Sequence, residues 1–545
     1  MVDNKKEREL HLMRMLLVAA QTVIIVNDVT ETTVAGPMPI NFQNTAQTFE
    51  GWGTSLAWFG EYVGMLEESQ QNIVADLLFD PEVGLGLEIV RFNFGASSTD
   101  ANAVASMRPF GAVPCVMLPD GTYNWTLDNK QASVMFAARD RGAVIFEAFA
   151  NSPPWFMTIS GRPSGNVDGK QDNLAPENYT AFVDYLTEVV GFYKHEMNLT
   201  FRTIEPFNEP NAGTLGSNTQ AYRQAFTPYI HALANGDVCM NFTTAVTDAL
   251  PAQHSSQAGV LGHASLRKLA SSLEEKELSP ETGISASDEY EYETAIDTFL
   301  QYGDTLNVIA QVNTHAYHVA GQRGMKNLAG KAGKRLWMSE YASGEFPVTD
   351  IRTGLTLSIQ ILGDLKDGGA QGWVYWQAIE DRYGTGGWWG LLQMPFADNN
   401  PNSGNWPVIP IQFSKQYYAM MQYSKFIKNG WTILTTDEDD WTLAAMRKRD
   451  DNDSSIEMAV VSTNTGLYNV TTNWGFGALA LPVDVEIYRT SATEDFDRLE
   501  SVQLATSGVL QYDLPPNTIT TFHVTFSAAP DGTPGQTTTI ERDEL

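Results

Sequence analysis

Two glutamates close apolar runs in this chain: Glu209, in Glu205-Pro206-Phe207-Asn208-Glu209-Pro210-Asn211, and Glu340, in Leu336-Trp337-Met338-Ser339-Glu340-Tyr341. A carboxylate set between Asn and Pro at the end of a strand-like run is poorly explained by solvation alone. A pair of such groups suits cleavage of a glycosidic bond. One carboxyl protonates the departing oxygen and the other receives the developing oxocarbenium ion, at about 5–5.5 Å where configuration is retained and farther apart where it is inverted. Asn208 is placed to hydrogen-bond a sugar 2-hydroxyl. Glu205 competes locally but lies inside its run, and Asp288/Glu289 and Glu380/Asp381 close other runs as secondary groups. Arg91 could steady a catalytic carboxylate by a charge-assisted hydrogen bond. Tyr317 could bond the nucleophilic carboxylate and hold it ionised. His315, which alone reads more readily as structural, shares the Tyr317 run and joins the substrate-binding set. Trp52, Trp155 and Trp376 offer flat faces for a pyranose ring, with Trp52 and Trp58 expected near the cleft mouth. The chain carries no phosphate loop, GxSxG, HExxH or metal-ligand set, so neither metal nor cofactor is expected.

The elements that must position these residues follow from the alternation of the chain. Eight apolar runs, at 49–58, 86–95, 143–154, 202–211, 282–290, 309–318, 335–344 and 372–381, are separated by helical stretches. That order predicts a parallel α/β fold, and eight strands close a (β/α)₈ barrel whose C-terminal strand ends share one cleft. Tyr179 to Glu196 carries an apolar stripe of Phe182, Tyr185, Leu186, Val189 and Tyr193 at helical spacing, and Ile351 to Leu365 repeats it. The longest spacer predicts helices around Tyr222–Ala234 and Ser265–Glu275. Past Pro410 the segment IQFSKQYYAMMQYSKFI reads as a returning helix. The short runs TLAAMRK, IEMAVVSTNT, VDVEIYRTS and TITTFHVTF then predict an antiparallel β-sandwich. The resulting domains are an N-terminal segment (1–29), sandwich strands (30–48), the barrel (49–410), the return helix with the sandwich (411–527) and a flexible tail (528–545).

Lys+Arg 34 against Asp+Glu 65 leaves a net charge of −31 over 545 residues. Such a surface repels nucleic acid and anionic membranes and favours a neutral glycan as partner, with a monomer expected. Cys115 and Cys239 are too few for a disulfide framework. Lys5, Lys6, Arg8 and Arg14 precede the apolar stretch Met15 to Val26, which reads as a secretory signal and not as a membrane span. Sequons at Asn124, Asn178, Asn198, Asn241, Asn452 and Asn469 fit a secreted glycoprotein. The final Arg-Asp-Glu-Leu resembles an ER-retention signal, which makes the ER lumen the alternative location.

GWGTSLAW, RFNFG, NSPPWFM, EPFNEPN, SASDE, THAYH, WMSEY and WVYWQAIED, followed by FSKQYYAMMQYSKFI, resemble glycoside hydrolase family 30 in content and order, over about residues 45–430. The resemblance implies a retaining clan A enzyme on a TIM barrel with a side β-sandwich made from both chain ends. It also implies Glu209 as general acid/base and Glu340 as nucleophile. The first-strand run GWGTSLAW departs from the GFGGAFTD-like run of the glucosylceramidase branch and resembles the fungal endo-β-1,6-galactanase branch. β-1,6-Glucanase, glucuronoxylanase and glucosylceramidase-like activities are the alternatives within the family, and an inactive carbohydrate-binding protein is the alternative outside it.

Overall fold

Eight short runs hydrogen-bond side by side into a closed parallel barrel in the computed structural model. The structure describes residues 38–40, 44–100, 111–163, 173–210, 257–318, 320–381, 388–396, 410–436, 441–450, 453–475, 482–500 and 509–526. The chain divides into two units after Met38, and the barrel belongs to the second, Pro39–Leu545. The barrel strands are Gly51–Ser55, Ile89–Asn93, Ile145–Phe149, Thr203–Glu205, Gly283–Glu289, Gln311–His315, Arg335–Tyr341 and Gly372–Gln377, and the eighth closes on the first. Each lies inside one of the eight predicted runs.

The run at 372–381 is two strands rather than one. The register against the first strand shifts between Tyr375 and Gln377, and the chain leaves the barrel there, as a bulged strand does. Ile379–Asp381 then pairs in parallel with Leu392–Met394, which pairs antiparallel with Gln412–Phe413. This small sheet sits outside the barrel on the eighth-strand side.

Alternation along each strand stacks the interior in layers. Ile89, Ile145, Trp337 and Val374 form an apolar plug. The Trp337 indole fits because the neighbouring strand offers Gly372, where a Cβ would fall 2.5 Å from its ring. Two residues beyond Ile89 and Ile145 the inward positions turn polar: Arg91 and Glu147 are buried, as is Asn313, which bonds Glu147.

The predicted stripe of Tyr179–Glu196 is buried against the barrel, and the helix that follows the seventh barrel strand, called the seventh helix below, spans Ile351–Lys366. Gln257–Glu275 is longer than predicted, whereas Tyr222–Ala234, Asn211 and Cys239 lie outside the described residues. Cys115 is buried and free. Among the described residues no helix is long and apolar enough to cross a membrane.

The sandwich sets a seven-stranded antiparallel sheet against a smaller one containing Val470–Gly475 and Val509–Leu514. Thr45–Thr48, from the N-terminal side, pairs with Thr432–Leu434 at the edge of the large sheet, so both ends of the chain build it. Trp474, Phe522, Val460 and Ile487 fill its core. Buried hydrogen bonds tie it to the barrel helices: Ser358 Oγ meets both Tyr423 OH and Thr463 Oγ1, and Gln422 Nε2 donates to Thr490 Oγ1 at 2.8 Å.

Candidate active site

The barrel places the two glutamates across one cleft. Glu209 lies just past the fourth strand and Glu340 near the end of the seventh. One carboxylate oxygen from each, together with Nδ1 of His315, falls within a 4.8 Å span. His315 Nδ1 lies 3.1 Å from Glu209 Oε1 and 3.5 Å from Glu340 Oε1, and its Nε2 lies 3.2 Å from Asp288 Oδ1. Tyr317 OH donates to Glu340 Oε1 at 2.9 Å. Glu340 Oε2 and Asn208 Oδ1 are buried without a protein partner, so both remain available to a ligand.

Local backbone explains how these groups come together. Register shifts between Ser287 and Glu289 and between Thr314 and His315 mark irregular strand ends. They let Ser339 and Glu340, adjacent in sequence, both reach into the barrel mouth: Ser339 Oγ donates to Asp288 while Glu340 accepts from Tyr317. Trp58, Glu209 and Asp288 hold left-handed backbone, at φ 67°, 48° and 53°. All three follow or end barrel strands on the cleft side, where such strain aims a side chain that surrounding structure must hold in place.

Beneath the pair lies a charged floor. Arg91 donates to Glu147 Oε1 at 2.8 Å and to Asp288 Oδ2 at 2.6 Å, all three fully buried. Glu147 also accepts from Thr203, Gln311 and Asn313. Arg91 therefore hydrogen-bonds Asp288 and not a catalytic glutamate, and its charge favours the Glu340 carboxylate only through space. Burial would raise the Asp288 carboxyl, but Arg91 and His315 hold it below the usual range. Burial would lower His315, yet Glu340 and Asp288 outweigh it and push the imidazole up to about 10. Burial raises Glu340 to about 7, the His315 cation working against that rise. Glu205 is fully buried with both oxygens unpartnered, and burial, then Asp288 and Glu147, raise it well above a normal carboxyl. It is closed off from solvent below the cleft, whereas the Glu209 side chain is 27% exposed, which removes it as a rival to Glu209.

The aromatic residues divide. Trp376 lies in the wall, packed edge-on to Trp58 at 5.3 Å and against Phe149, whose ring also carries the Arg91 guanidinium at 4.2 Å. Trp155 sits half-buried in the turn after the third strand, its backbone N–H donating to Ala96 O at 2.8 Å. Trp52 is not at the cleft. It is fully buried on the outer face of the barrel, packed on Phe49, Trp373 and Tyr423 with its indole N–H donating to Ile427 O at 2.7 Å. Its place follows from parity, since Trp52 shares a strand face with Thr54 and not with Ser55. Glu147 and Trp389 were missed. A charge inside the buried run Ile145–Phe149 was the available signal for the first, and the second carries none.

Glu209, His315 and Glu340 could also present three donor atoms to a divalent cation, but such an ion would first have to displace the proton that the carboxylates hold on His315.

Two carboxyls facing each other at the C-terminal mouth of a parallel eight-stranded barrel define a glycoside hydrolase. Residues 36–258 match the family model described as O-Glycosyl hydrolase family 30. An endo-beta-1,6-galactanase of Hypocrea rufa is 28% identical over 468 residues, covering 82% of each chain. An exo-beta-1,6-galactobiohydrolase of Bifidobacterium longum is 26% identical, and the match spans 85% of this chain but only 37% of that longer protein. Among solved structures, the catalytic domain of GH30 xylanase C from Talaromyces cellulolyticus superposes with a TM-score of 0.61 over 89% of this chain and 99% of its own, at 19% identity. That last likeness is one of fold.

Proposed function

We propose that this glycoside hydrolase works by double displacement, with Glu340 as nucleophile and Glu209 as general acid/base, on β-1,6-linked galactan. The observation that carries the mechanism is the approach of Glu209 and Glu340, each with an oxygen inside the same 4.8 Å span. That close approach supports direct attack by one of the pair, the geometry of a retaining enzyme. Tyr317 and the His315 cation stabilise the Glu340 carboxylate before attack. As the glycosyl–enzyme forms, Glu209 gives its proton to the leaving oxygen and then deprotonates the water that releases the sugar. Asn208, next to Glu209 and with a buried unpartnered oxygen, is placed for the 2-hydroxyl of the ring being cleaved.

The substrate reading is supported by the galactanase relative that covers most of the chain and by an uncharged target for a protein of net charge −31. Incubation with β-1,6-galactan, β-1,6-glucan and glucuronoxylan in parallel tests it. Galactan should be cleaved fastest, releasing short galacto-oligosaccharides from within the chain. Faster cleavage of either other polymer would overturn the substrate while sparing the mechanism. The same reading puts the protein on the secretory route, supported by exposed sequon asparagines at 124, 198 and 469. A fall in the mass of the expressed protein on enzymatic N-deglycosylation is the expected result, and an unchanged mass would count against it.

A further inference from the structure

Beyond the two glutamates, the eighth-strand side of the cleft carries a held aromatic with no part in the double displacement. Trp389 stands in the turn between Ile379–Asp381 and Leu392–Met394, half-buried, and packs on the cluster of Trp376, Phe149 and Ala57. Its indole N–H donates to Glu380 Oε2, and its carbonyl accepts from Tyr375 OH. Gln416 Nε2 reaches Ser343 O at 2.9 Å and Trp388 O at 3.3 Å, joining this turn to the loop that follows Glu340. That loop lies flush with the indole because residue 344 is glycine: a Cβ there would stand 3.3 Å from both Trp389 Cε3 and its backbone nitrogen.

Glu380 is fully buried, a costly place for a carboxylate unless its oxygens are filled. They are filled. Oε2 accepts from Trp389 and from Gln377 Nε2, and Oε1 accepts from the Asp381 N–H at 2.8 Å. It therefore does not present itself to a sugar; it fixes the indole. The wall then has two depths. Trp376 is 9% exposed and packs on Phe149, whose ring also carries the Arg91 guanidinium of the charged floor, whereas Trp389 is half-buried and packs on that cluster from its solvent-exposed edge.

We propose that Trp389 is a specificity-determining platform for a second pyranose ring, outside the ring undergoing cleavage, and that Glu380 is the positioning residue that holds it. Clamping the indole from its N–H, its carbonyl and the glycine side removes its rotamer freedom before the glycan arrives, so less ordering is left to binding. The inference rests on the glycosidase reading and adds a chain-length requirement to it.

The test is steady-state kinetics on β-1,6-linked galacto-oligosaccharides of increasing length, with Trp389→Ala, Trp389→Phe, Glu380→Gln and the double variant Glu380→Gln/Trp389→Phe, each checked by thermal melting. Trp389→Ala should raise KM about tenfold for the longer substrates while kcat moves less than about threefold, the pattern of lost uniform binding. Trp389→Phe should lose only part of this. Glu380→Gln keeps the side chain's volume and should raise KM a few-fold, but add nothing in the Trp389→Phe background, where no indole N–H remains to be held. An unchanged KM in Trp389→Ala, or a Glu380→Gln effect that persists undiminished in that background, would overturn the proposal even with galactan cleavage confirmed. A wild-type protein inert on every glycan would overturn both the reading and the inference.

Discussion

Asp364 and Asp288 are both buried carboxylates at the heart of hydrogen-bond networks, and their neighbours make them opposites. Asp364, on the seventh helix, accepts from Tyr292 OH, Gln322 Nε2 and Gln360 Nε2 on one oxygen and from Trp373 Nε1 on the other, at 2.8–2.9 Å. All four donors are neutral, so burial dominates and lifts its pKa to about 6. Asp288 faces two cations, and Arg91 and His315 pull it below the usual range despite equal burial. Asp364 fastens helices to the eighth strand. Asp288 organises a cluster in which Glu340 Oε2 and Asn208 Oδ1 stay open. A network that uses up its acceptors is architecture; one that buries charge and leaves acceptors open is built for a ligand.

The largest effect that could break this contrast lies in the cleft. Glu340→Ala should lower kcat by at least about 10⁴-fold, and Glu209→Gln by about 10²–10⁴-fold on polysaccharide, both without loss of folded protein. Glu209→Gln should lose far less on aryl glycosides, whose leaving groups need little protonation. Near-normal turnover of galactan by either variant would remove its residue from the assigned role.

The structural network should respond in stability instead. Asp364→Ala strands four buried donors and should cost about 3–5 kcal/mol, while KM of the folded enzyme stays near wild type. Asp364→Asn sharpens the point through pH. A carboxyl whose folded pKa is raised binds protons more tightly when folded, so its contribution is greatest below the unfolded pKa of about 4 and is lost as pH rises through about 6. The stability difference between wild type and Asp364→Asn should therefore shift in favour of Asn across that window. Denaturant titrations at both ends of it would show this, and a difference independent of pH would contradict it.

Tyr317→Phe removes the hydroxyl that donates to the Glu340 carboxylate. Ionised Glu340 is the active form, so kcat/KM should fall as pH drops below about 7. Losing the donor should move that acid limb to higher pH. An unmoved limb would show that another group controls it. Smallest of all, Trp52→Phe should cost about 1–2 kcal/mol through the lost bond to Ile427 O, with KM unaltered. A raised KM would return Trp52 to the cleft.

What the sequence disclosed and what it hid divide along physical lines. Apolar runs and helical stripes report burial, so the eight strands and the helix Tyr179–Glu196 could be read directly. Residue type at a strand end marked Glu209 and Glu340 as a pair. Which face of a strand a residue occupies depends on parity, and Trp52 between two glycines gave no second apolar residue to fix it. The partners of Arg91 depend on which strands adjoin in the closed barrel: Glu147 comes from the next strand and Asp288 from three strands beyond Arg91's own. The bulge between Tyr375 and Gln377 has no local signature, and past it the chain starts the short strand Ile379–Asp381 that carries Glu380 to the Trp389 indole.

The central claim is that Glu340 attacks the anomeric carbon directly, with Glu209 opposite it. ¹H NMR of the products first formed from β-1,6-galactan, recorded before mutarotation, tests this most directly. Two successive displacements predict that the new reducing end appears as the β anomer and only later equilibrates. An α anomer appearing first would mean a single displacement by water, and would contradict the double displacement.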